Sequence, residues 1–275
     1  MSKADQIFID TCREILDNGV WQSENVRARW EDGSPARCKK SFAMVNRYDL
    51  REEFPILTLR PVPLKNCIDE ILWIWQKKSN KVAELNSHIW DAWQQEDGTI
   101  GKAYGYQLGL KTEYADGSYD QVDRLIKDIK ETPDSRRLIC HMYNIQDLPE
   151  MALYPCAYSF TLHVAEGELH GLLNQRSQDM LVANGWNVVQ YAILLHMLAR
   201  ECNLGVGSLV HVIADAHIYD RHIPLVEELL ERPQYPAPEL VVNDTVKGFY
   251  DFTVDDFKLL NYQHGAQIKN VPVAV

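Results

Sequence analysis

Residues 156–177 read CAYSFTLHVAEGELHGLLNQRS. Apolar side chains recur at every second position of this stretch, at Tyr158, Phe160, Leu162 and Val164. A period of two is typical of a strand with one face buried and the other toward water. Glu166 and Gly167 can form a two-residue turn, after which Glu168–Gln175 can run back as the partner strand. The stretch therefore predicts an antiparallel β-hairpin.

The register of this hairpin predicts which side chains meet Cys156. If Ala165 faces Glu168, the same pairing places Cys156 opposite Ser177, with Arg176 beside it. A guanidinium close to a thiol lowers the pKa of the thiol and favours the nucleophilic thiolate. Cys156 is therefore a candidate nucleophile. The alternative is that Cys156 is one more small, buried, apolar residue, as free cysteines commonly are. The facing of Cys156 depends on the register, because a slip of one position turns every side chain to the other face.

Helices are predicted on both sides of the hairpin. Helical periodicity indicates three of them, at residues 4–18, 66–75 and 186–204. The first is amphipathic, whereas the other two are apolar on most faces and should be largely buried. Gly19 and Gly205 stand where the first and the last of these helices are expected to end.

A further strand is predicted after the last helix. Residues 209–213 form a short apolar strand that leads into residues 215–219. His217 and Tyr219 project from the same side if this segment stays extended. The mixture of strands and helices predicts an α/β (α+β) fold.

Length and composition limit the class of protein. The chain has 275 residues, of which 46% are apolar and 10% aromatic, so it can bury a sizeable core. It contains no repeat or linker, and we expect residues 1–275 to form a single domain. No apolar run is long enough to span a membrane, and no signal peptide is recognised. Six cysteines without a C-x-x-C pair favour reduced thiols and a cytoplasmic location.

The charge of the chain narrows the possible ligands. A formal net charge of −11 disfavours general binding to nucleic acids or anionic membranes, so an anionic substrate would need a local cluster of arginines. Arg136 and Arg137 follow a turn-like Pro133-Asp134-Ser135, and adjacent guanidinium groups can clamp a phosphate bidentately. The alternative for this pair is a solvated position on the surface.

Glu70 and a group of histidines are further candidates for catalysis or metal binding. Glu70 lies in the predicted helix at 66–75, where desolvation would raise the pKa of its carboxyl group and suit general acid or base catalysis. An edge carboxylate paired with a cation is the alternative. Histidines are frequent between residues 211 and 222, but their spacing matches no compact ligand motif, and no metal site is predicted.

The motif Leu153-Tyr154-Pro155-Cys156 is followed about twenty residues later by Asn174-Gln175-Arg176-Ser177-Gln178-Asp179. Together these two motifs resemble the active-site signature of thymidylate synthases, and the resemblance extends along nearly the whole chain. The other matches, in chain order, are Arg27, Glu70-Ile71-Leu72-Trp73, His88-Ile89-Trp90-Asp91-Ala92-Trp93, Ala103-Tyr104-Gly105-Tyr106-Gln107, Ser135-Arg136-Arg137, Trp186-Asn187-Val188, Asp215-Ala216-His217-Ile218-Tyr219 and Pro272-Val273-Ala274-Val275. So many ordered matches argue against chance.

The resemblance implies a reaction and its catalytic residues. Cys156 would add to uracil C6, which makes C5 nucleophilic, and Glu70, Tyr104 and Asn187 would complete the catalytic set. Asn187 would read the pyrimidine, because a carboxamide offers a donor to O4 and an acceptor to N3–H, and cytosine presents the opposite pattern. The implied reaction is methylation of dUMP to dTMP with 5,10-methylenetetrahydrofolate, which leaves as dihydrofolate. The alternative is a dUMP hydroxymethylase of the same family.

The resemblance also implies the binding residues and the assembly. The side chains expected to bind dUMP are Arg27, Arg136, Arg137, Arg176, Ser177, Asp179, Asn187, His217 and Tyr219. Arg136 and Arg137 match a pair that the family donates across its dimer interface, so the phosphate would be held by four arginines. The implied fold is a large twisted mixed sheet covered by helices, and two subunits would pack sheet against sheet as a homodimer.

The folate side is implied in less detail. The residues expected to contact the folate are Ile89, Trp90, Trp93, Asp179, Val182, Trp186 and Ala274. The terminal Val275 resembles a closing tail that excludes water from an intermediate. Ala157 and the run Ala183-Asn184-Gly185-Trp186 depart from the commoner residues of the family, at positions that the resemblance places on the substrate and folate side.

Two other classes of protein are alternatives to this family, and each requires a different property of the chain. A cysteine hydrolase would use Cys156 with His217 and needs the histidine within hydrogen-bond reach of the thiol. A non-catalytic nucleotide-binding or RNA-binding module would show no turnover of dUMP. The first leaves the arginine set unexplained, and the acidic net charge argues against the second.

Overall fold

The computed structural model describes residues 1–274. The closing role expected of Val275 lies outside the described residues and stays a prediction. Six α-helices occur in this range: α1 (Lys3–Asn18), α2 (Leu64–Trp75), α3 (Gly105–Gly109), α4 (Gln121–Glu131), α5 (Asn184–Glu201) and α6 (Ile223–Leu230). The three helices predicted from periodicity correspond to α1, α2 and α5.

Of the two helix ends predicted at glycines, the structure confirms the one at Gly19 and contradicts the one at Gly205. Helix α1 ends immediately before Gly19, where a Cβ atom would lie 2.4 Å from the carbonyl oxygen of Ile15. The prediction that Gly205 ends α5 is wrong. Helix α5 ends at Glu201, and Asn203 adopts the left-handed conformation with φ 55° that follows a helix C-terminus. Asparagine tolerates this conformation, so glycine is not required there.

Eleven strands lie within residues 1–274. They are β1 (Val20–Trp21), β2 (Cys38–Asp49), β3 (Thr112–Tyr114), β4 (Gly117–Tyr119), β5 (Ile139–His141), β6 (Ala157–Ala165), β7 (Glu168–Gln175), β8 (Gln178–Asp179), β9 (Gly205–Tyr219), β10 (Glu239–Val242) and β11 (Phe257–Leu260). The main sheet has the order β1-β2-β9-β7-β6-β5, and β8 also pairs with β9. Because β9 runs parallel to β7 and β8 and the other pairs are antiparallel, the sheet is mixed. The predicted α/β fold class is confirmed.

The hairpin of β6 and β7 follows the predicted register for most of its length. Glu166 and Gly167 both have positive φ, at 52° and 79°, which is the two-residue turn whose twist suits a hairpin. The register shifts by one residue between Ala157 and Ser159, so Cys156 meets Arg176 and not Ser177. The predicted facing of Cys156 is therefore wrong, because a β-bulge adds one residue to β6.

Strand β9 is longer than the predicted strand at 209–213. It pairs with β2 from Ser208 to Tyr219, which keeps the whole segment extended. His217 and Tyr219 consequently lie on the same side, with ring centroids 5.2 Å apart, as predicted.

Helix α5 forms the centre of the molecule. It packs against α2 on one side and against β7 and β9 on the other. The inward positions of β7, at Leu169, Gly171 and Leu173, are buried beneath it. Because α5 is enclosed by a helix and a sheet, the few polar side chains on its inner turns must find partners inside the protein.

No helix between residues 1 and 274 combines the length and apolar character needed to cross a membrane. No group of three or more His, Cys, Asp or Glu side chains in that range is arranged to hold a metal ion.

Candidate active site

A cavity of about 370 Å³ lies between α2, α5 and the start of β6. It brings together all four residues predicted to be catalytic, namely Cys156, Glu70, Asn187 and Tyr104. The other residues of its wall are Arg60, Pro61, Val62, Pro63, Ile74, Ile89, Trp90, Trp93, Leu153, Ala157, Gln175, Val182, Ala183, Trp186, Gln190, Tyr191 and Gln267.

Cys156 is held in place through its own backbone carbonyl and amide groups. Its carbonyl oxygen accepts from the Arg176 amide at 3.0 Å, and its own amide donates to the Tyr104 hydroxyl at 3.1 Å. The Arg176 guanidinium donates to the carbonyl oxygens of Pro155 (3.2 Å) and Tyr154 (2.7 Å), and its Nη2 lies 3.7 Å from Cys156 Sγ. The bulge in β6 therefore brings the cation to the thiol.

The electrostatics of Cys156 only partly match the prediction. Burial raises the pKa of the Cys156 thiol, and the charge of Arg176 and the Tyr104 hydroxyl lower it by less than burial raises it. The expectation that the guanidinium leaves a lowered pKa is therefore wrong for the protein without substrate. The thiol form predominates at neutral pH, and the cation moderates the cost of forming the thiolate.

Glu70 is buried and serves as an acceptor for three donors. Its carboxylate oxygens accept from Trp90 Nε1 at 2.6 Å, from Trp186 Nε1 at 2.5 Å and from Gln190 Nε2 at 2.6 Å. Burial raises the pKa of Glu70 above its ordinary value, and these three hydrogen bonds offset only part of that effect. The predicted raised pKa is confirmed, and the site holds a carboxyl group suited to proton transfer.

Asn187 lies one turn before Gln190 on α5 and faces the cavity. Its Oδ1 accepts from Gln175 Nε2 at 3.1 Å, and its Nδ2 donates to Gln190 Oε1 at 3.0 Å. A carboxamide has two lone pairs and two N–H groups, so one of each remains for a ligand.

One wall of the cavity is aromatic and apolar. Trp90 lies 5.7 Å from Trp93 and 5.1 Å from Tyr104, measured between ring centroids. The other residues expected on the folate side that reach this wall are Ile89, Val182 and Trp186. Flat indole surfaces with few polar atoms suit a fused heteroaromatic ring.

The residues expected around the sugar lie at the end of β9. His217 Nδ1 is 3.1 Å from Asp215 Oδ1. Asp179, on the adjacent β8, accepts from the amides of Leu181 (2.9 Å) and Val182 (3.1 Å). Burial by itself raises the pKa of Asp179, but the hydrogen bond and charge of His222 and the charge of His217 bring it below the ordinary value. Asp179 is therefore ionised at neutral pH.

Several residues predicted for the site lie away from the cavity wall. Arg27 is exposed in the segment between β1 and β2, and Ser177 is half-buried between β7 and β8. Arg136 and Arg137 are exposed before β5, where they line a separate depression with Arg124 and Asp128. Within one chain, the structure does not bring this pair to Cys156.

The C-terminal segment also stays outside the wall. Ala274 is half-buried and is not among the residues of the cavity wall. The carbonyl oxygen of Pro272 accepts from His222 Nε2 at 2.7 Å, which ties this segment to the start of α6.

Comparison with known proteins decides the family. The thymidylate synthase family model matches residues 6–275. Thymidylate synthase 1 of Bacillus spizizenii and the thymidylate synthase of Bacillus phage phi3T are each 45% identical over 274 residues, which is 98% of both chains. The solved structure of thermostable thymidylate synthase A from Bacillus subtilis superimposes with a TM-score of 0.95 at 44% identity and covers all of both chains. This chain belongs to the thymidylate synthase family.

Membership confirms the predicted activity. The chain is a methyltransferase of the thymidylate synthase type, which acts on dUMP with methylenetetrahydrofolate as co-substrate. Its relatives are named thymidylate synthases, which favours methylation over the hydroxymethylation alternative. Cys156 and His217 form no hydrogen bond within residues 1–274, since His217 Nδ1 is turned to Asp215.

Sequence reasoning missed three polar residues of this thymidylate synthase site. Gln190 interrupts the apolar pattern of α5, and Gln175 occupies an inward position of the hairpin, so both could have been recognised as polar groups in a core. Arg60 is the single charged residue in the apolar stretch before α2, and its guanidinium donates to the carbonyl oxygen of Leu181. Among the departures from the family pattern, Ala157, Ala183 and Trp186 line the cavity.

Proposed function

We propose that this thymidylate synthase works through covalent addition of Cys156 to C6 of dUMP. The observation that carries the proposal is the meeting of a thiol, a guanidinium and a buried carboxyl group around one cavity. Addition of the Cys156 thiolate to C6 pushes electron density onto C5 and O4 of the ring, which gives C5 the nucleophilic character that uracil lacks. The folate, when bound, supplies the one-carbon unit and the hydride.

The remaining catalytic roles follow from what each group can donate or accept. Arg176 and the Tyr104 hydroxyl favour the thiolate of Cys156. The free N–H of Asn187 can stabilise negative charge developing on O4, and its free lone pair can accept from N3–H. Glu70, with its raised pKa, can hold or release the proton that the reaction moves at neutral pH.

We also propose the following binding roles. Arg27, Arg176 and Ser177 bind the phosphate, and His217 and Tyr219 bind the deoxyribose. The folate ring packs against the aromatic wall of the cavity near Asp179, and the segment around Ala274 covers it. The aromatic wall and the ionised Asp179 support this assignment, because a pterin offers both a flat face and N–H donors.

We propose that the active unit is a homodimer packed sheet against sheet, in which Arg136 and Arg137 complete the phosphate site of the partner. Strands β7 and β9 are alternately buried and half-exposed, so the sheet face away from α5 remains partly open in one chain. Large apolar side chains lie on the strands of this sheet with high exposure, including Phe42 (84%) and Ile139 (48%). Burial of such a surface against a second copy is favourable. Arg136 and Arg137 lie close in sequence to Ile139.

We also propose that the chain forms a single catalytic domain and that it works in the cytoplasm. Residues 4–257 contribute to one continuous hydrophobic core, which supports a single catalytic domain over residues 1–275. All six cysteines have free thiols, which supports a reducing cytoplasmic environment.

The reaction can be tested directly. Protein, dUMP and methylenetetrahydrofolate are mixed, dihydrofolate is followed by absorbance, and the nucleotide product is identified by mass. We expect dTMP and dihydrofolate in equal amounts. A product with the mass of 5-hydroxymethyl-dUMP, or dTMP without dihydrofolate, would contradict the proposed reaction. A reaction with dCMP in place of dUMP is the control for the pyrimidine.

A further inference from the structure

Three side-chain carboxamides form a continuous hydrogen-bonded chain beneath the cavity. Gln190 Nε2 donates to Glu70 at 2.6 Å, Asn187 Nδ2 donates to Gln190 at 3.0 Å, and Gln175 Nε2 donates to Asn187 at 3.1 Å. At the far end, the Gln175 oxygen meets Nε2 of His211. This series of hydrogen bonds therefore runs from α2 through α5 to β7 and β9.

Glu70 sets the direction of these hydrogen bonds, that is, which group donates and which accepts at each link. Its two oxygens each accept from an indole N–H, of Trp90 and of Trp186, and an indole nitrogen can only donate. A carboxylate held in this way presents an acceptor to Gln190, so the amide nitrogen of Gln190 must face it. The Gln190 oxygen then faces Asn187, whose own nitrogen must turn toward it.

The other end of this hydrogen-bonded series, at Gln175 and His211, fits the same direction when the His211 ring is protonated on Nε2. Gln190 and Gln175 are each 2% exposed, and His211 is fully buried, so none of them can exchange a partner for bulk water. Burial lowers the pKa of His211 to about 3, which leaves a neutral ring with one N–H. With that proton on Nε2, His211 donates to the Gln175 oxygen, and the Gln175 nitrogen is directed to Asn187.

Direction matters because a carboxamide by itself does not distinguish uracil from cytosine. It carries one donor and one acceptor side by side. In one orientation they match O4 and N3–H of uracil, and after a half-turn they match N4–H and N3 of cytosine. Reversal of Asn187 in this structure would oppose its oxygen to the Gln190 oxygen and its nitrogen to the Gln175 nitrogen.

We propose that Gln190 and Gln175 are positioning residues that give Asn187 its preference for uracil by fixing the orientation of its carboxamide. The inference rests on the proposed role of Asn187 in reading the pyrimidine. Neither glutamine needs to contact the base, because each acts through the bond it makes to Asn187.

The test replaces Gln190 with methionine, which has a similar size and shape but neither donates nor accepts strongly here. Equilibrium dissociation constants are measured for dUMP and dCMP without folate, so that no catalytic step enters. We expect the preference for dUMP, expressed as the ratio of the two constants, to fall at least about tenfold, which corresponds to about 1.4 kcal/mol. Gln107→Met is the matched control. Gln107 is similarly buried, and it takes no part in the hydrogen bonds that link Glu70 to Gln175. Its replacement removes two other hydrogen bonds, of 2.8 and 2.9 Å.

A double-mutant cycle separates positioning from general loosening of the site. In an Asn187→Ala background, Gln190→Met should leave the ratio unchanged, because the residue through which it acts is gone. An unchanged ratio in folded Gln190→Met, or an equal fall in Gln107→Met, overturns the inference. If Gln190→Met does not fold, Gln175→Met carries the same expectation. A wild-type protein that binds dUMP and dCMP equally would instead refute the proposed role of Asn187.

Discussion

Cys156 and Arg176 meet because of a single extra residue in β6. Without the bulge, Cys156 would face Ser177 in place of Arg176. Arg176 is then fixed by two backbone carbonyl oxygens, so its position does not depend on the thiol. A cation anchored in this way is ready to stabilise the thiolate when it forms.

The nucleophile can be tested by Cys156→Ser. A serine hydroxyl is far less acidic than a thiol, so we expect the rate of dTMP formation to fall by at least about three orders of magnitude. Binding of dUMP should change little, because the Asn187 and arginine contacts are retained. Calorimetry for dUMP and the dihydrofolate assay measure the two quantities. Turnover close to that of the wild type would contradict covalent addition by Cys156.

The proposed recognition of the pyrimidine by Asn187 can be tested by Asn187→Asp. The change removes the amide donor, and an ionised carboxylate repels uracil O4 but accepts from the amino group of cytosine. The ratio of kcat/KM for dUMP to that for dCMP should shift toward dCMP by at least about tenfold, since an unsatisfied buried group costs about 1 to 3 kcal/mol.

Affinity for inorganic phosphate is the control for the same variant, because Arg176 and Arg27 are untouched. An unchanged preference in a folded protein would mean that Asn187 serves only the packing of the first turns of α5.

At the scale of elements, helix α5 both packs in the hydrophobic core and supplies side chains to the candidate active site. Its buried apolar residues hold it between α2 and the sheet, and its polar residues Asn187 and Gln190 both face the cavity. The segment before α6 has a comparable double role. His222 contacts Pro272 through Nε2, and its Nδ1 lies 3.6 Å from Asp179 Oδ2.

The pair of His222 and Asp179 predicts a pH dependence of stability. Burial by itself lowers the pKa of His222, but Asp179 raises it above the ordinary value. A raised folded-state pKa contributes stability that is complete below about pH 6.5 and is lost as pH rises through that pKa. The lowered pKa of Asp179 contributes stability above about pH 3.9 that is lost on acidification.

The free energy of unfolding of wild type and His222→Gln is therefore compared by urea denaturation at pH 6 and pH 8.5. We expect the deficit of the variant to be larger at pH 6. His196→Gln is the control, because burial lowers the pKa of His196 to about 4, and its deficit should grow with rising pH. A His222→Gln deficit that also grows with pH would show that Asp179 does not hold the histidine protonated.

At the scale of the whole molecule, the arginines proposed to bind the phosphate lie in separate places of one chain. Arg136 and Arg137 are exposed and remote from the cavity wall, whereas Arg176 is beside Cys156. A sheet-to-sheet dimer would supply the missing cations from the second subunit and would also cover the half-exposed face of β7 and β9.

Hybrid dimers test this arrangement. Arg136→Ala and Cys156→Ser, each inactive alone, are mixed and allowed to exchange subunits. Half of the dimers become hybrids with one intact site of two, so we expect about a quarter of wild-type activity. Mixing Arg176→Ala with Cys156→Ser is the control and should restore nothing, since both residues belong to the same chain's site. Failure to recover activity despite proven exchange would contradict a shared phosphate site.

Local pattern was sufficient for the β6–β7 hairpin and for three of the six α-helices among the described residues. The alternation of Tyr158 to Val164 and the helical period of α1, α2 and α5 depend on neighbours along the chain, so they can be read from the sequence. The family motifs also pointed to Cys156, Glu70, Tyr104 and Asn187 before their meeting in one cavity was known.

Only the tertiary structure decided how these residues are connected. The bulge that brings Arg176 to Cys156 depends on how β6 pairs with β7 and packs beneath α5, and no local pattern marks it. The raised pKa values of Cys156 and Glu70 arise from burial by distant segments. The hydrogen bonds from Glu70 through Gln190 and Asn187 to Gln175 join α2 to α5 across 120 residues and α5 to β7 across 12 residues. They exist only after packing has brought these three elements together.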